Sequence, residues 1–237
     1  MMRTSVLVAG VMGAMICHAA RASLVAGVSV SLDGGAVSSN SQPASGFGSF
    51  NASTTFPSPS TPPSTPVAEA SGTLGWLATS YSYSGTAVGA AATSTRPTIS
   101  ATSTGIGIYT FTQAMIVQVS WDLSNVAALA PVTGSSGWTI TDALGNFAYA
   151  ITYFGASPVP NVEGGVPQAA SHSGFVGQLG PGTWTISTSV MVDPPGSGAA
   201  PGGGAFSVSM SFTPVPAPGA LPLVAIASIA ARRGRRR

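Results

Sequence analysis

The amino-acid sequence predicts an all-β fold, an antiparallel β-sandwich of jelly-roll type, and three observations carry that reading. Apolar residues recur at every second position along most of the body of the chain, which is the strand period. No stretch of the body sustains the helical period. The apolar runs are short, and turns drawn from 30 glycines and 19 prolines separate them, as in folds built from many short antiparallel strands.

The strands follow in order. Leu24, Ala26, Val28, Val30 and Leu32 alternate with Val25, Gly27, Ser29 and Ser31. Tyr109, Phe111, Met115, Val117, Val119 and Trp121 read as one face of a longer segment. Trp138 and Ile140 mark the next strand, and Phe147, Tyr149, Ile151 and Tyr153 the one after. Asp142-Ala-Leu-Gly145 between them reads as a hairpin turn, with Gly145 free to take positive φ. Trp184, Ile186, Thr188, Val190 and Val192, then Phe206, Val208, Met210 and Phe212, alternate with serine and threonine, giving one apolar and one hydroxyl face. Pro194-Pro195 and Gly202–Gly204 punctuate the loop between those last two strands.

Three stretches lack a clean pattern. Ser38 to Ser71 is rich in serine, threonine and proline, with a low-complexity core from Pro57 to Pro66, and is expected to be a linker or long surface loop. Ser84 to Thr104 is full of small residues and is expected to form flat strands of weakly specified register. Val126–Ala130 suits one helical turn before Pro131.

The two ends of the chain differ from its body. Met1-Met2-Arg3 is a short positive segment, and Val6 to Ile16 is an apolar run of signal-peptide length, too short to span about 30 Å of hydrocarbon. Ala20-Arg21-Ala22 presents an A-x-A pattern, which places cleavage by a signal peptidase before Ser23; His18-Ala19-Ala20 offers a second site. Cys17 falls inside this segment, and Ile16 stands where a lipoprotein signal has a small residue. The expected organisation is a signal helix in 1–22, the β-sandwich in 23–213 and a sorting and membrane-anchor segment in 214–237.

That last segment runs from Pro214 through an apolar stretch, Leu221–Ala231, to Arg232, Arg233, Arg235, Arg236 and Arg237. As a helix the apolar part reaches about 17 Å, a marginal transmembrane span helped where arginines extend to the interface. The positive flank predicts a cytoplasmic tail with the body outside. Val215-Pro216-Ala217-Pro218-Gly219, the apolar helix and the terminal arginines together resemble the PEP-CTERM sorting signal, over about the last 24 residues. Alanine occupies position 217, where the family name has glutamate. The resemblance implies transient handling by an exosortase-like membrane enzyme and a place in the envelope, surface or extracellular matrix of a Gram-negative or planctomycete-type bacterium, with extracellular polysaccharide as a partner.

Charge excludes several functions. Seven of the eight arginines lie in the two ends, only Arg96 lies in the body, and there is no lysine. The body therefore sets one arginine against six acids. Such a chain cannot neutralise phosphates, so no nucleic-acid partner is expected. The mature chain has no cysteine and one histidine, which excludes disulfides and disfavours transition-metal sites. No D-x-D-x-D-G loop supports calcium.

No catalytic residue, cofactor site or metal site is assigned, and the protein is expected not to be an enzyme. His172 sits in a Ser/Gly-rich stretch and reads as a solvated loop histidine, because abundant serines give no weight to a nucleophile beside it. Asp122 and Asp142 lie near strand ends, and turn or surface roles outweigh a glycosidase pair. Trp76, Tyr81, Tyr83, Trp121, Trp138, Tyr149, Tyr153 and Trp184 could stack on sugars, although most fit the apolar face of a strand. Tyr81 and Tyr83 are the least anchored by pattern. The leading expectation is an exported, non-enzymatic surface or matrix protein, with a carbohydrate-binding or adhesive module as the alternative and a secreted hydrolase behind both.

Overall fold

The computed structural model describes residues 21–33, 38–44, 47–57, 66–90, 98–122, 133–154, 160–193 and 202–216. They form thirteen strands and, among the described residues, no helix: β1 (Arg21–Asp33), β2 (Ser38–Ala44), β3 (Gly48–Pro57), β4 (Pro66–Leu77), β5 (Ser80–Gly89), β6 (Ser100–Phe111), β7 (Met115–Asp122), β8 (Thr133–Asp142), β9 (Phe147–Phe154), β10 (Asn161–Glu163), β11 (Ser171–Leu179), β12 (Gly182–Asp193) and β13 (Gly202–Pro214). Residues 1–20 of the expected signal helix, the Val126–Ala130 turn and the C-terminal apolar helix lie outside the described residues; Arg21 and Ala22, placed at the end of that helix, are in strand β1 instead.

The strands make two sheets, ordered β10-β9-β8-β12-β6-β1-β2 and β11-β7-β13-β5-β4-β3. Every pairing is antiparallel. Eight strands carry jelly-roll wiring: β5-β13-β7-β11 faces β6-β12-β8-β9, two interlocked Greek keys. The N-terminal strands widen both layers on the same side, β1 and β2 beyond β6, β4 and β3 beyond β5.

Period-two alternation places the core between the layers. Val28, Val30 and Leu32 of β1, Ile186, Val190 and Val192 of β12, and Trp138 and Ile140 of β8 point in from one sheet. Leu74 and Trp76 of β4, Val117, Val119 and Trp121 of β7, and Phe206, Val208, Met210 and Phe212 of β13 point in from the other. Each fully buried Val, Leu, Ile or Phe contributes roughly 1.5–3 kcal/mol of transfer free energy, so this two-sided set drives the closure of the sandwich. Tyr109, Phe111 and Phe212 close one end as a ring cluster, with centroids 5.0 to 5.7 Å apart.

Several sequence expectations are corrected. Ser38–Ser71 is not a loop: it holds β2, β3 and the first half of β4. Its inward positions, Ala52, Thr54, Ala68 and Ala70, are buried but small, so the alternation was present without the large side chains that announce it. Pro43 is tolerated because β2 is an edge strand. The proline tract bridges a hairpin in which Pro57 pairs with Pro66; residues 58–65 lie outside the described residues. Tyr109–Trp121 is not one segment but two strands, β6 and β7, in opposite sheets, whose apolar faces meet across the core. Ser84–Thr104 likewise divides between β5 and β6, which lie in different sheets and touch through the Ala90–Ile99 bridge. Gly202–Gly204 belongs to β13, paired with Gly89, Val88 and Ala87, rather than to a loop.

Candidate functional site

The aromatic side chains are mostly spent on the core. Trp76, Tyr81, Tyr83, Trp121, Trp138 and Tyr153 are buried, and Tyr149 and Trp184 are partly so. Tyr81 and Tyr83, which the sequence left unanchored, are among the most deeply placed. Their strand reads Ser80-Tyr-Ser-Tyr-Ser84, a strict alternation that turns both rings inward. Tyr83 donates to Ser103 Oγ at 2.8 Å, and Tyr109 donates to the Ser80 carbonyl at 2.6 Å. Burial pushes the phenols of Tyr81, Tyr83 and Tyr109 well above their ordinary range. Gly105 lets these rings in, since a Cβ there would lie 2.5 Å from Tyr83 Cδ2 and 2.9 Å from Tyr81 Oη.

His172 is not in a loop; it sits on β11, opposite Trp121 of β7. Its ring lies 4.6 Å from that of Trp121, and its Nε2 is buried without a hydrogen-bond partner. Trp121 in turn donates to the Ala169 carbonyl at 3.1 Å and packs edge-on against Trp138 at 5.6 Å. The neighbouring pair, Ser171 opposite Asp122, is exposed on the other face of the sheet. His172 and Asp122 therefore point apart, and no Ser-His-Asp relay forms between them.

Asp142 is a turn residue, as its sequence context indicates. Its carboxylate accepts hydrogen bonds from the Leu144 and Asn146 amides at 2.8 and 2.9 Å and from Asn146 Nδ2 at 2.9 Å, while Gly145 takes φ of 85°. Asn146 foremost, with the turn amides, holds this carboxyl below the usual aspartate range. Asp122 points away from the sheet that carries Asp142, across layers stacked about 10 Å apart. Asp122 on the outer face of one sheet and Asp142 in a turn of the other share no face on which a glycosidase pair could flank a bond. Among the described residues, no group of three or more His, Cys, Asp or Glu is placed to hold a metal ion.

What the outer face of the six-stranded sheet does assemble is a field of hydroxyls. One cross-strand row runs Ser173–Ser120–Ser209–Ser82–Gly75–Ser49 and the next Ser171–Asp122–Ser207–Ser84–Thr73–Asn51. All of these residues are exposed except half-buried Gly75. A third row contains Thr86, Ser71 and Ser53, with the first two hydroxyls 2.7 Å apart. Neither of the first two rows contains a lysine, an arginine or an aromatic residue. A shallow trough of about 340 Å³ lies along them over β4, β5, β13 and β7, lined by Thr73, Ser82, Ser84, Ser207, Ser209, Ser120 and Asp122. The row on the other side of the first, Phe175–Gln118–Ser211–Ser80–Leu77, brings exposed Phe175 and Leu77 to the edges of this face, and Ile106 and Met191 are exposed on the opposite outer face, which is also hydroxyl-rich.

The sequence showed half of this site. The hydroxyl face of β13 was legible; its continuation through Ser82 and Ser84 was not read, because no period was assigned to that stretch. The residues expected to direct processing are divided. Ala22 and Ser23 lie on β1, and Val215 and Pro216 follow β13, with the Val215 amide bonded to the Ala114 carbonyl at 2.9 Å. Ala20, Ala217, Pro218, Gly219 and the five C-terminal arginines lie outside the described residues. Among the described residues no helix is long and apolar enough to cross a membrane.

The architecture defines the class: an antiparallel jelly-roll β-sandwich extended by an N-terminal four-strand wing. No family model matches the chain, and no curated protein matches it. One solved structure it is similar to is a carbohydrate-binding module of the β-sandwich superfamily, described for its promiscuous specificity. The likeness is 9% identity over 84% of this chain and 87% of that one, with a TM-score of 0.18.

Proposed function

We propose that this is an exported, non-enzymatic β-sandwich protein of the cell surface or extracellular matrix, directed there by its two ends and working through its outer sheet faces. The observation that carries the reading is the hydroxyl field. Two exposed rows hold nine serines and threonines and a single carboxylate, an exterior that hydrates and hydrogen-bonds without a catalytic grouping. The processing expectations fit the strand ladder. Between Ala22 and Ala26 the pairing of β1 with β6 shifts register, and the unbroken ladder runs from Ala26 to Asp33. Cleavage before Ser23 would remove two paired residues and spare that ladder. At the other end, Val215, the first residue of the V-P-A-P-G motif, is among the described residues the last whose amide is tied back to the sandwich, which suits processing beyond it.

Mass spectrometry of the protein from cytoplasmic, membrane, surface and medium fractions tests the proposal. Surface and medium material starting at Ser23 and lacking Arg232–Arg237 is the expected outcome. Protein confined to the cytoplasm with both termini intact would sink it.

The trough favours a second reading, a carbohydrate-binding module. Closely spaced hydroxyls and a carboxylate in a shallow concavity are the groups that pair with sugar hydroxyls. Pull-down on insoluble and soluble polysaccharides tests it, and binding that disappears when the trough is filled would support it.

A further inference from the structure

Resting on the reading of the C-terminal segment as a membrane anchor, we infer that one end of the sandwich lies against a lipid bilayer, docked through Phe47, Leu77, Leu144 and Phe147. Strand register places all four at the same end. In the seven-stranded sheet Phe111, the last residue of β6, pairs with Gly182 of β12, and Trp184 pairs with Asp142 at the β8–β9 turn. In the other sheet Pro214 pairs with Met115, Ser211 with Ser80, Ser80 with Leu77, and Gly48 with Trp76. Residues 112–114 link Phe111 directly to Met115, so these strand ends belong to one end of the molecule. There Leu144 is 87% exposed, Phe147 61%, Leu77 55% and Phe47 49%, the last with its ring 5.1 Å from that of Trp76. Phe175 adds an exposed ring in the row of Leu77. The acids are distributed the other way. Asp33, Asp122 and Asp193 close their strands at the opposite end, Glu69 lies near it, and Glu163 stands beside Ala150 partway along β9. Of the six acids, Asp142 alone is at the apolar end.

Two observations name the occupant. The first is the tether. β13 ends at this end of the sandwich, and the apolar run of the tail starts at Leu221, so the chain from Pro216 to it spans at most about 18 Å. A tail that enters lipid therefore keeps the apolar end within reach of the bilayer surface. The acidic end stands farther off by a strand length, roughly 35 Å. So short a tether gives the docking contact a high effective concentration, and weak apolar contacts then suffice. The second observation is the β8–β9 turn. The amides of Asp142, Leu144, Gly145 and Asn146 are all hydrogen-bonded within it, so none is left unpaired when the turn meets the interface. The Asp142 carboxylate fixes the turn by accepting from Leu144 and Asn146, so Leu144 is presented with little ordering cost. The same carboxylate keeps the tip at the boundary between headgroups and acyl chains, the depth at which Leu and Phe side chains dock.

The experiment labels the full chain with an environment-sensitive fluorophore at Leu144→Cys, in a Cys17→Ser background. The protein is reconstituted in vesicles of phosphatidylcholine and phosphatidylglycerol, with and without brominated acyl chains. A blue shift and quenching by the bromines are expected at position 144. The same label at Thr55→Cys, exposed near the opposite end of β3, should stay in water. Leu77→Ser combined with Phe147→Ser should lower the ratio of docked to undocked protein about tenfold. Circular dichroism confirms that the variants fold, and a pair that does not is replaced by Leu77→Ser alone. Vesicle-bound protein whose label at 144 remains in water, or is quenched equally in the serine variant, overturns the docking and leaves the anchor standing. A blue shift already complete without vesicles means that a second copy covers the patch, and overturns it as well. Protein that stays in the supernatant removes docking and anchor together.

Discussion

The Tyr81 hydroxyl and Thr188 Oγ1 meet at 2.7 Å in the middle of the sandwich, joining β5 of one sheet to β12 of the other across 107 residues of sequence. Thr188 spends its own proton on the Gly105 carbonyl at 3.1 Å, so Tyr81 is the donor. This fixes an order of costs. Tyr81→Phe leaves Thr188 with its donor bond intact and should cost about 0.5–1.5 kcal/mol. Thr188→Val leaves a buried phenol without an acceptor and should cost about 1–3 kcal/mol. Urea denaturation of the two variants measures the difference, and equal costs would show that the bond does not link the layers.

The same tyrosines set the alkaline limit of the fold. Tyr81, Tyr83 and Tyr109 have folded pKa values raised above the ordinary 10.0, mainly by burial. The sign follows from linkage: their stabilising effect is complete below about pH 10 and is lost progressively as pH climbs, because the unfolded phenols ionise first. Each should remove about 1.4 kcal/mol per pH unit above that point. With no lysine in the chain, the tyrosinate absorbance of these three residues and the loss of β structure should rise together in one transition. Tyrosinate absorbance equal to all five tyrosines near pH 10 from a chain still fully folded would contradict the burial.

Tyr149 clasps the two sheets where β9 passes β11. Its hydroxyl accepts from the Gln178 amide and donates to the Gln178 carbonyl, both at 2.9 Å. Gly177 makes room for it, since any Cβ there would collide with the Tyr149 hydroxyl. Gly177→Ala should cost about 1–3 kcal/mol and speed hydrogen exchange at Gln178. Adding Tyr149→Phe should then cost less than it does alone, because the clasp is already open. Strict additivity in that double-mutant cycle would disprove the coupling.

The β8–β9 hairpin makes its prediction at the acid end. Asp142 is held below its ordinary 3.8 by Asn146 and the turn amides. A depressed folded pKa means that its contribution is present above pH 3.8 and is lost as pH falls through the folded value. NMR titration should show the Asp142 carboxyl protonating below the ordinary aspartate range, with the Leu144 and Asn146 amides shifting in step. Asn146→Ala should move the midpoint upward.

How much of this was legible depended on side-chain size. Strands with large inward residues, such as Phe206, Val208, Met210 and Phe212, declared both their period and their hydroxyl face. Strands whose inward residues are small or hydroxylated did not: β3 buries Ala52 and Thr54, and β4 begins with Ala68 and Ala70. There serine and threonine occupy both faces, and composition pointed to a loop. The edge strand β11 was missed for another reason. Glycines interrupt its pattern, and the register shift between Phe175 and Gly177 breaks the alternation that the eye follows. The trough was out of reach from sequence because its rows are made by pairing. Ser82, Ser120 and Ser209 become neighbours only when β5, β7 and β13 lie side by side. The inward placement of Tyr81 and Tyr83 was missed although the alternation of Ser80 to Ser84 carries it, because the small polar residues around the two rings read as a polar stretch.

The position of β13 bears on when this molecule can exist at all. It lies between β7 and β5, and without it the six-stranded sheet is two unconnected pieces, β11-β7 and β5-β4-β3. A chain that emerges with its N-terminus leading, from a ribosome or through a pore, cannot close its core until residues 202–214 are out. Most of the sandwich must therefore wait, with its core open, for the strand that comes last among the thirteen.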